Sequence, residues 1–271
     1  MKILVIGSNG MAGHVIKSFL GRKYKVETLA RTNADHILDI ENMVETKKFL
    51  QNLSHDFIIN CIGVLGPDSN TDIARTVYVN AYFPKLLEKT FENTNTRIVH
   101  ISTDCVFDGK KGSYIETDIP NEPGIYGFSK GLGEINNKKD LTLRISIIGP
   151  EKKEISKRSG LLNWILTSPE KELSGWTNAL WNGITTLQLA KCIDTYIQNP
   201  KIYGIWHPVP PTAVNKAELL EMICAEYDLN KSVKYVEGPK TVDKTLVNTK
   251  GSFFKVPSLE TQLWELEGYS I

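Results

Sequence analysis

Tyr126-Gly127-Phe128-Ser129-Lys130 sets a phenol and an ammonium four residues apart, so on a helix the two side chains share a face. That pairing suits proton transfer. A phenol with a pKa of roughly 10 exchanges protons poorly at neutral pH, and a nearby cation stabilises its phenolate. A shift of about three pKa units corresponds to about 4 kcal/mol. The lysine can also hold a cofactor ribose. The spacing alone is a weak signal, because Tyr227-Asp228-Leu229-Asn230-Lys231 repeats it. That second copy straddles the expected end of a C-terminal helix, where Asp and Asn are turn formers. Tyr126 instead follows a strand that ends in His100-Ile101-Ser102-Thr103-Asp104, and hydroxyls at the carboxyl end of a parallel strand face the ligand crevice.

Gly7, Gly10 and Gly13, with Ser8, Asn9 and Met11 between them, form a glycine turn directly after an apolar strand and at the start of a helical period. Glycine lets the backbone turn sharply and approach a pyrophosphate, and the free N–H groups of the helix start supply the anion site. Turn and packing roles alone would also favour glycine, but strand before and helix after point to a dinucleotide. The second strand ends in Leu29-Ala30-Arg31-Thr32 with no acid at its tip. A cation there suits the 2′-phosphate of NADPH, with NADH as the alternative cofactor and a solvated Arg31 as the plain reading. Asp39-Ile40 is a further candidate for the adenine end, or Asp39 caps the next helix.

These residues need a scaffold, and the chain supplies one. Short β-branched runs at Lys2–Ile6, Val26–Leu29, Phe57–Cys61, Arg97–Ser102 and Leu141–Ile145 alternate with helical periods at 11–20, 40–53, 74–91 and 126–137. Strands linked by crossover helices build a parallel sheet covered on both faces. The expected class is α/β, a Rossmann-type doubly wound sheet over residues 1–150, with a smaller α+β C-terminal substrate lobe over 151–271 interleaved with the last strands of the sheet. After Ile145 the rhythm breaks at a charged, looped stretch from Glu151 to Arg158. An aromatic cluster of Trp164, Trp176 and Trp181 follows, then a strand at Ile202–Trp206 and a helix from Val214 to Tyr227.

With 271 residues, 41% hydrophobic and 23% charged, the chain reads as one large or two closely packed globular domains. Thirty-two basic residues against 31 acidic ones, with no like-charged block, disfavour nucleic acid as a partner. No apolar run reaches the roughly 18 residues a membrane span needs, and the amino terminus reads as a core strand, not a leader, so the expected location is cytoplasmic. Cys61, Cys105, Cys192 and Cys224 form no CxxC pair, and the five histidines lack metal-ligand spacing, so free thiols and no metal are expected.

Joint order and spacing give the chain a family likeness. Gly7-x-x-Gly10-x-x-Gly13, Leu38-Asp39-Ile40, Asn60-Cys61-Ile62-Gly63, Val79-Asn80-Ala81, Ser102-Thr103-Asp104-x-Val106-Phe107-Asp108-Gly109, Glu116-Thr117-Asp118, Tyr126-Gly127-x-x-Lys130 and Leu143-Arg144 carry it. On these the chain resembles the extended short-chain dehydrogenase/reductase superfamily, and within it the dTDP-4-dehydrorhamnose reductase-like branch. The likeness is strong over about the first 150 residues and weaker beyond. It implies reduction of the 4-keto group of a nucleotide-linked deoxysugar for cell-surface polysaccharide precursors. Tyr126 would donate the proton, Thr103 would hydrogen-bond the carbonyl oxygen, and Lys130 would tune the phenol and bind the ribose. Cys61, Ile62, Gly63 and Asn80 would border the cofactor, with a structural amide as the alternative for Asn80. Thr103, Asp104 and Val106 would meet the substrate, or Asp104 caps a turn.

Gly175-Trp176-Thr177-Asn178-Ala179-Leu180-Trp181-Asn182-Gly183 departs from the branch, as does the loop Val64 to Asn70, so the sugar is left open. Trp176 and Trp181 are candidates to stack on a base or sugar, with Asn178 and Asn182 as hydrogen-bond partners, or else the tryptophans fill the lobe's core. Lys244 is a candidate for a diphosphate, or simply exposed. The rival readings are an epimerase on the same scaffold and a non-catalytic NAD(P)-binding regulatory subunit. A 4,6-dehydratase is disfavoured because Cys105 stands where those enzymes carry glutamate. A homodimer is the assembly carried forward.

Overall fold

The computed structural model describes residues 1–151 and 160–271; the looped stretch expected from Glu151 to Arg158 lies outside the described residues apart from Glu151. Six strands come first: β1 (Lys2–Ile6), β2 (Lys25–Ala30), β3 (His36–Ile37), β4 (Phe57–Asn60), β5 (Arg97–Thr103) and β6 (Leu141–Ile145). The helices among them are α1 (Met11–Gly21), α2 (Met43–Gln51), α3 (Ile73–Val77), α4 (Phe83–Phe91) and α5 (Ile125–Gly133). Then follow β7 (Ile147–Ile148), α6 (Leu161–Thr167), β8 (Glu172–Trp176), β9 (Ala179–Trp181), β10 (Ile184–Thr185), α7 (Thr186–Gln198) and β11 (Gly204–Trp206). The chain closes with β12 (Val214–Asn215), α8 (Lys216–Glu226), β13 (Ser232–Val236), β14 (Val242–Asp243) and α9 (Leu259–Glu267).

The main sheet runs β11-β6-β5-β4-β1-β2-β3, with every pairing parallel. Because side chains alternate along a strand, β1 feeds two cores. Ile3 and Val5 join Ile16 and Leu20 of α1 and Leu189 and Ile193 of α7 on one face. Leu4 and Ile6 join Leu50 of α2 and Phe83, Leu87 and Phe91 of α4 on the other. This is the doubly wound α/β sheet read from the sequence. Strand order reverses between β1 and β4, which is where such sheets open a ligand crevice at the carboxyl ends of their strands.

The helical period expected over 74–91 is one run in sequence but not in geometry. It is α3, a π-turn over Tyr78–Tyr82, and α4, and the extra residue in that turn swings Asn80 inward to full burial. Past β6 the chain builds short pairings, β13 on β8, β12 and β14 on β9, and β10 on β7. A separate core of Leu162, Ile165, Leu173, Leu219, Ile223 and Leu263 fills this part. It interleaves with the sheet, since α7 packs on the same face as α1 and β11 pairs with β6.

Candidate active site

The glycine turn takes the shape its position calls for. Gly7 sits at φ +82°, where a side chain would also press on Ile62, and its N–H donates to the Leu29 carbonyl at 2.8 Å. A Cβ on Gly13 would overlap the Gly7 carbonyl, so α1 lies against the turn only because residue 13 has none. No side chain caps α1 and its first turn carries no acid, so its amino-terminal N–H groups remain to meet an anion.

A groove of about 350 Å³ opens from this turn. Gly7, Asn9, Gly10 and Met11 line it, with Arg31 and Thr32 after β2, Asp39 and Ile40 beyond β3, and Cys61, Ile62 and Gly63 after β4. All of these but Thr32 were cofactor candidates from sequence. Ser8 is buried beneath the turn, and Gly13 acts through packing. Asn9 donates to the Thr32 carbonyl at 2.6 Å, tying the turn to the end of β2. Arg31 is exposed at the groove and has no ion pair among the described residues, whereas Arg75 is held by Glu41 at 2.7 Å. The Glu41–Arg75 pair at the groove's rim was not foreseen; Arg75 lies beyond the departing 64–70 loop, with no motif to mark it.

Asn80 does not line the groove. Its Oδ1 accepts from the Val64 N–H at 2.8 Å, and its Nδ2 donates to the Val64 carbonyl and to Ser129 Oγ. The amide is fully used in fixing the extended segment that follows β4 against α5. Two further contacts seat α5. A Cβ on Gly127 would overlap the carbonyl of Cys105, so the helix touches the Asp104–Val106 turn directly. At its other end Glu134 takes two bonds from the Arg144 guanidinium, at 2.6 and 2.7 Å, and a third from Ser102. Arg144 is 1% exposed, and its forked pairing with a carboxylate locks α5 to β5 and β6. A lone arginine inside the apolar strand Leu141–Ile145 was the available signal for this clamp.

Tyr126 and Lys130 therefore stand on a helix fixed at both ends. Lys130 is 4% exposed and its Nζ donates to the Ile101 carbonyl of β5 at 2.7 Å. Burial pushes its pKa down to about 8, opposed by the charges of Glu134 and Cys61. The phenol of Tyr126 is pushed up, chiefly by burial; the nearby Cys105 and Asp104 add to this, and a hydrogen bond from Thr103 opposes it. The lowering of the phenol by Lys130 expected from the sequence is not what this arrangement gives, because desolvation dominates and the ammonium is turned onto the strand carbonyl. The consequence is a protonated phenol at neutral pH, which is the form of an acid and not of a base. Thr103 itself is buried, its Oγ1 accepting from Cys105 N and donating to Asp104 at 3.1 Å.

A second cavity, of about 550 Å³, lies between the sheet and the C-terminal part; Asp104 and Cys105, next to Thr103, form part of its wall, while Tyr126, Lys130 and Thr103 themselves line neither this cavity nor the groove. Asp104, Cys105, Trp164, Trp176, Trp181, Lys216 and Lys244 are among its lining. The three tryptophans grouped by the sequence do converge. Trp181 is mostly buried with Nε1 bonded to Ser146, while Trp176 is exposed at the rim. Asn178 and Asn182 lie outside the lining: the first bonds both ways with Gly238 and the second with Leu246, closing loops. Val106 is fully buried with Phe107 and Tyr114 in a small apolar cluster. Burial raises the carboxyl of Asp104 above the usual range. The second YxxxK copy is remote in kind, since Tyr227 is the C-terminal cap of α8. No His/Cys/Asp/Glu group suited to a metal occurs among the described residues, and no helix there is long and apolar enough to cross a membrane.

Comparison with known proteins places this geometry. A dTDP-4-dehydrorhamnose reductase of Burkholderia thailandensis is 34% identical over 137 residues, half of this chain but only 45% of that protein. The chain thus matches less than half the length of that relative. The probable low-salt glycan biosynthesis reductase Agl14 of Haloferax volcanii is 27% identical over 243 residues, covering 83% of this chain and 79% of its own length. The crystal structure of dTDP-4-dehydrorhamnose reductase from Bacillus anthracis in complex with NADP superposes with a TM-score of 0.84 at 20% identity, covering 98% of each chain. The family model described as RmlD substrate binding domain matches residues 1–250, and this chain belongs to that family.

Proposed function

We propose that the protein reduces the 4-keto group of a nucleotide-linked deoxysugar at the expense of NADPH. The observation that carries this reading is the protonated Tyr126 phenol bonded to Thr103, next to the Asp104–Cys105 wall of a cavity lined by tryptophans and lysines, in a chain whose other cavity is a groove at a helix start without a side-chain cap among the described residues. The groove's residues fit the cofactor: the glycine turn and the start of α1 would take its diphosphate, and Arg31 its 2′-phosphate. NADPH, when bound, supplies the hydride that goes to the carbonyl carbon. Tyr126 gives its proton to the carbonyl oxygen, so the ketone becomes an alcohol with one hydride and one proton gained. The Thr103 hydroxyl, which donates to Asp104 in this structure, would turn to donate to that oxygen as negative charge builds. Lys130, charged below about pH 8, would bind the cofactor ribose with the N–H bonds that the Ile101 carbonyl leaves free.

Residues 151–271 act in this reading as the substrate lobe, closing on the nucleotide sugar from above Asp104. The relatives' names support a place in glycan precursor synthesis, which would put the protein in the cytoplasm, with a homodimer as the assembly to test. The test is NADPH absorbance against a panel of dTDP-, UDP-, GDP- and CDP-linked 4-ketosugars. The reading expects stoichiometric loss of NADPH with at least one of them. Turnover without net consumption of cofactor would assign an epimerase, and silence across the panel with intact NADPH binding would favour a regulatory subunit.

A further inference from the structure

The sequence directs attention to Lys244 as a diphosphate ligand, but that ammonium is already engaged, 2.9 Å from Glu122 Oε2. Lys216 is not. It is the first residue of α8 and lines the same cavity, its Nζ 5.1 Å from the centre of the Trp181 ring. Among the described residues no carboxylate pairs with it and no acceptor bonds it. The ring beneath it cannot drift, because Trp181 is 5% exposed and tied to Ser146 at 2.9 Å. An ammonium held over a fixed aromatic face places the charge at a fixed point in the cavity. Burial already lowers the lysine's pKa, with Asp104 as the nearby acid that opposes the shift. A half-buried ammonium that no acceptor bonds among the described residues gains from a ligand that supplies the anion.

We propose that Lys216 binds the diphosphate linker of the nucleotide sugar and is the residue that distinguishes a nucleoside diphosphate from a bare nucleoside in this cavity. The assignment rests on the nucleotide-sugar reading above and names one of its contacts. Lys244, restrained by Glu122, lines the cavity beside Val242 of β14.

The experiment is calorimetric titration of dTDP, UDP, thymidine and uridine into protein saturated with NADP, which keeps the titrants out of the cofactor groove. Lys216→Met keeps an unbranched side chain of similar length and removes the charge. It should weaken the diphosphates by roughly ten- to a hundredfold, the range for a charge-assisted bond, and leave the nucleosides unchanged. Lys216→Arg should restore most of the loss, and Lys244→Met should cost less than Lys216→Met. Equal diphosphate affinity in wild type and Lys216→Met overturns the proposal, as does an equal loss for nucleosides. A loss confined to UDP-glucuronate and absent with UDP also overturns it, by moving the anion to the sugar. If wild-type protein with normal NADP affinity binds neither dTDP nor UDP, nor GDP or CDP in the same titration, the nucleotide-sugar reading fails, and the role of Lys216 with it.

Discussion

Replacing Lys130 with methionine should stop turnover and make the protein more stable. The ammonium is 4% exposed and its pKa falls from 10.5 to about 8. A group whose charged form is held badly by the fold contributes a penalty while it stays charged in both states. At pH 7 both folded and unfolded lysines are protonated, so the full penalty applies. A shift of about 2.5 units corresponds to about 3 kcal/mol. Against this, Lys130→Met leaves the Ile101 carbonyl without its 2.7 Å donor, which costs about 1 kcal/mol. The net gain is about 2 kcal/mol, or a rise in Tm of about 5 °C for a chain of this size.

The pH dependence carries the signature. Wild-type stability should rise from about pH 8 towards 10.4, because the folded protein sheds this proton before the unfolded chain does. The advantage of Lys130→Met should shrink over the same interval. Thermal melts of both proteins from pH 6.5 to 10 provide the assay. A variant less stable than wild type at pH 7, or an advantage that does not change with pH, would refute the electrostatic reasoning.

Other perturbations address separate parts of the site. Reduction should slow above about pH 8 as Lys130 loses its charge and one of its donors, and a rate flat to pH 10 would remove the charged lysine from the reaction. Arg31→Ala should weaken NADPH by about tenfold and NADH little, since the exposed guanidinium would act through the 2′-phosphate alone; equal losses in a fluorescence titration would exclude that role. Gly13→Ala should destabilise the fold by about 1 to 3 kcal/mol and weaken NADP, because the new methyl must push α1 off the Gly7 carbonyl. Normal NADP affinity in that variant would contradict the packing argument.

The parallel sheet was legible because each central strand is a continuous β-branched run, as in Ile3-Leu4-Val5-Ile6, and the helices between them keep their period. The groove was legible for a related reason, since a glycine turn between strand and helix is local. What the sequence hid depends on contacts far along the chain. The strands of the C-terminal part are two to five residues long and pair across gaps such as the one between β8 and β13, so no local period announces them. The π-turn keeps apolar residues in step with a plain helix, yet it turns Asn80 away from the groove and onto Val64. Asn178 and Asn182 share their composition with a binding loop, and only the fold reveals that Gly238 and Leu246 consume their amides. A lysine at a helix start reads as solvated, and nothing near Lys216 in sequence predicts the Trp181 face beneath it.

The central claim is that one phenol delivers the proton, and Tyr126→Phe isolates it. The substitution removes a hydroxyl on the seated helix α5 and leaves the groove lining intact. Turnover with a nucleotide-linked 4-ketosugar should fall by at least two orders of magnitude, with NADPH affinity unchanged and Tyr227→Phe behaving as wild type. Turnover in Tyr126→Phe equal to that of the wild-type protein would contradict the account.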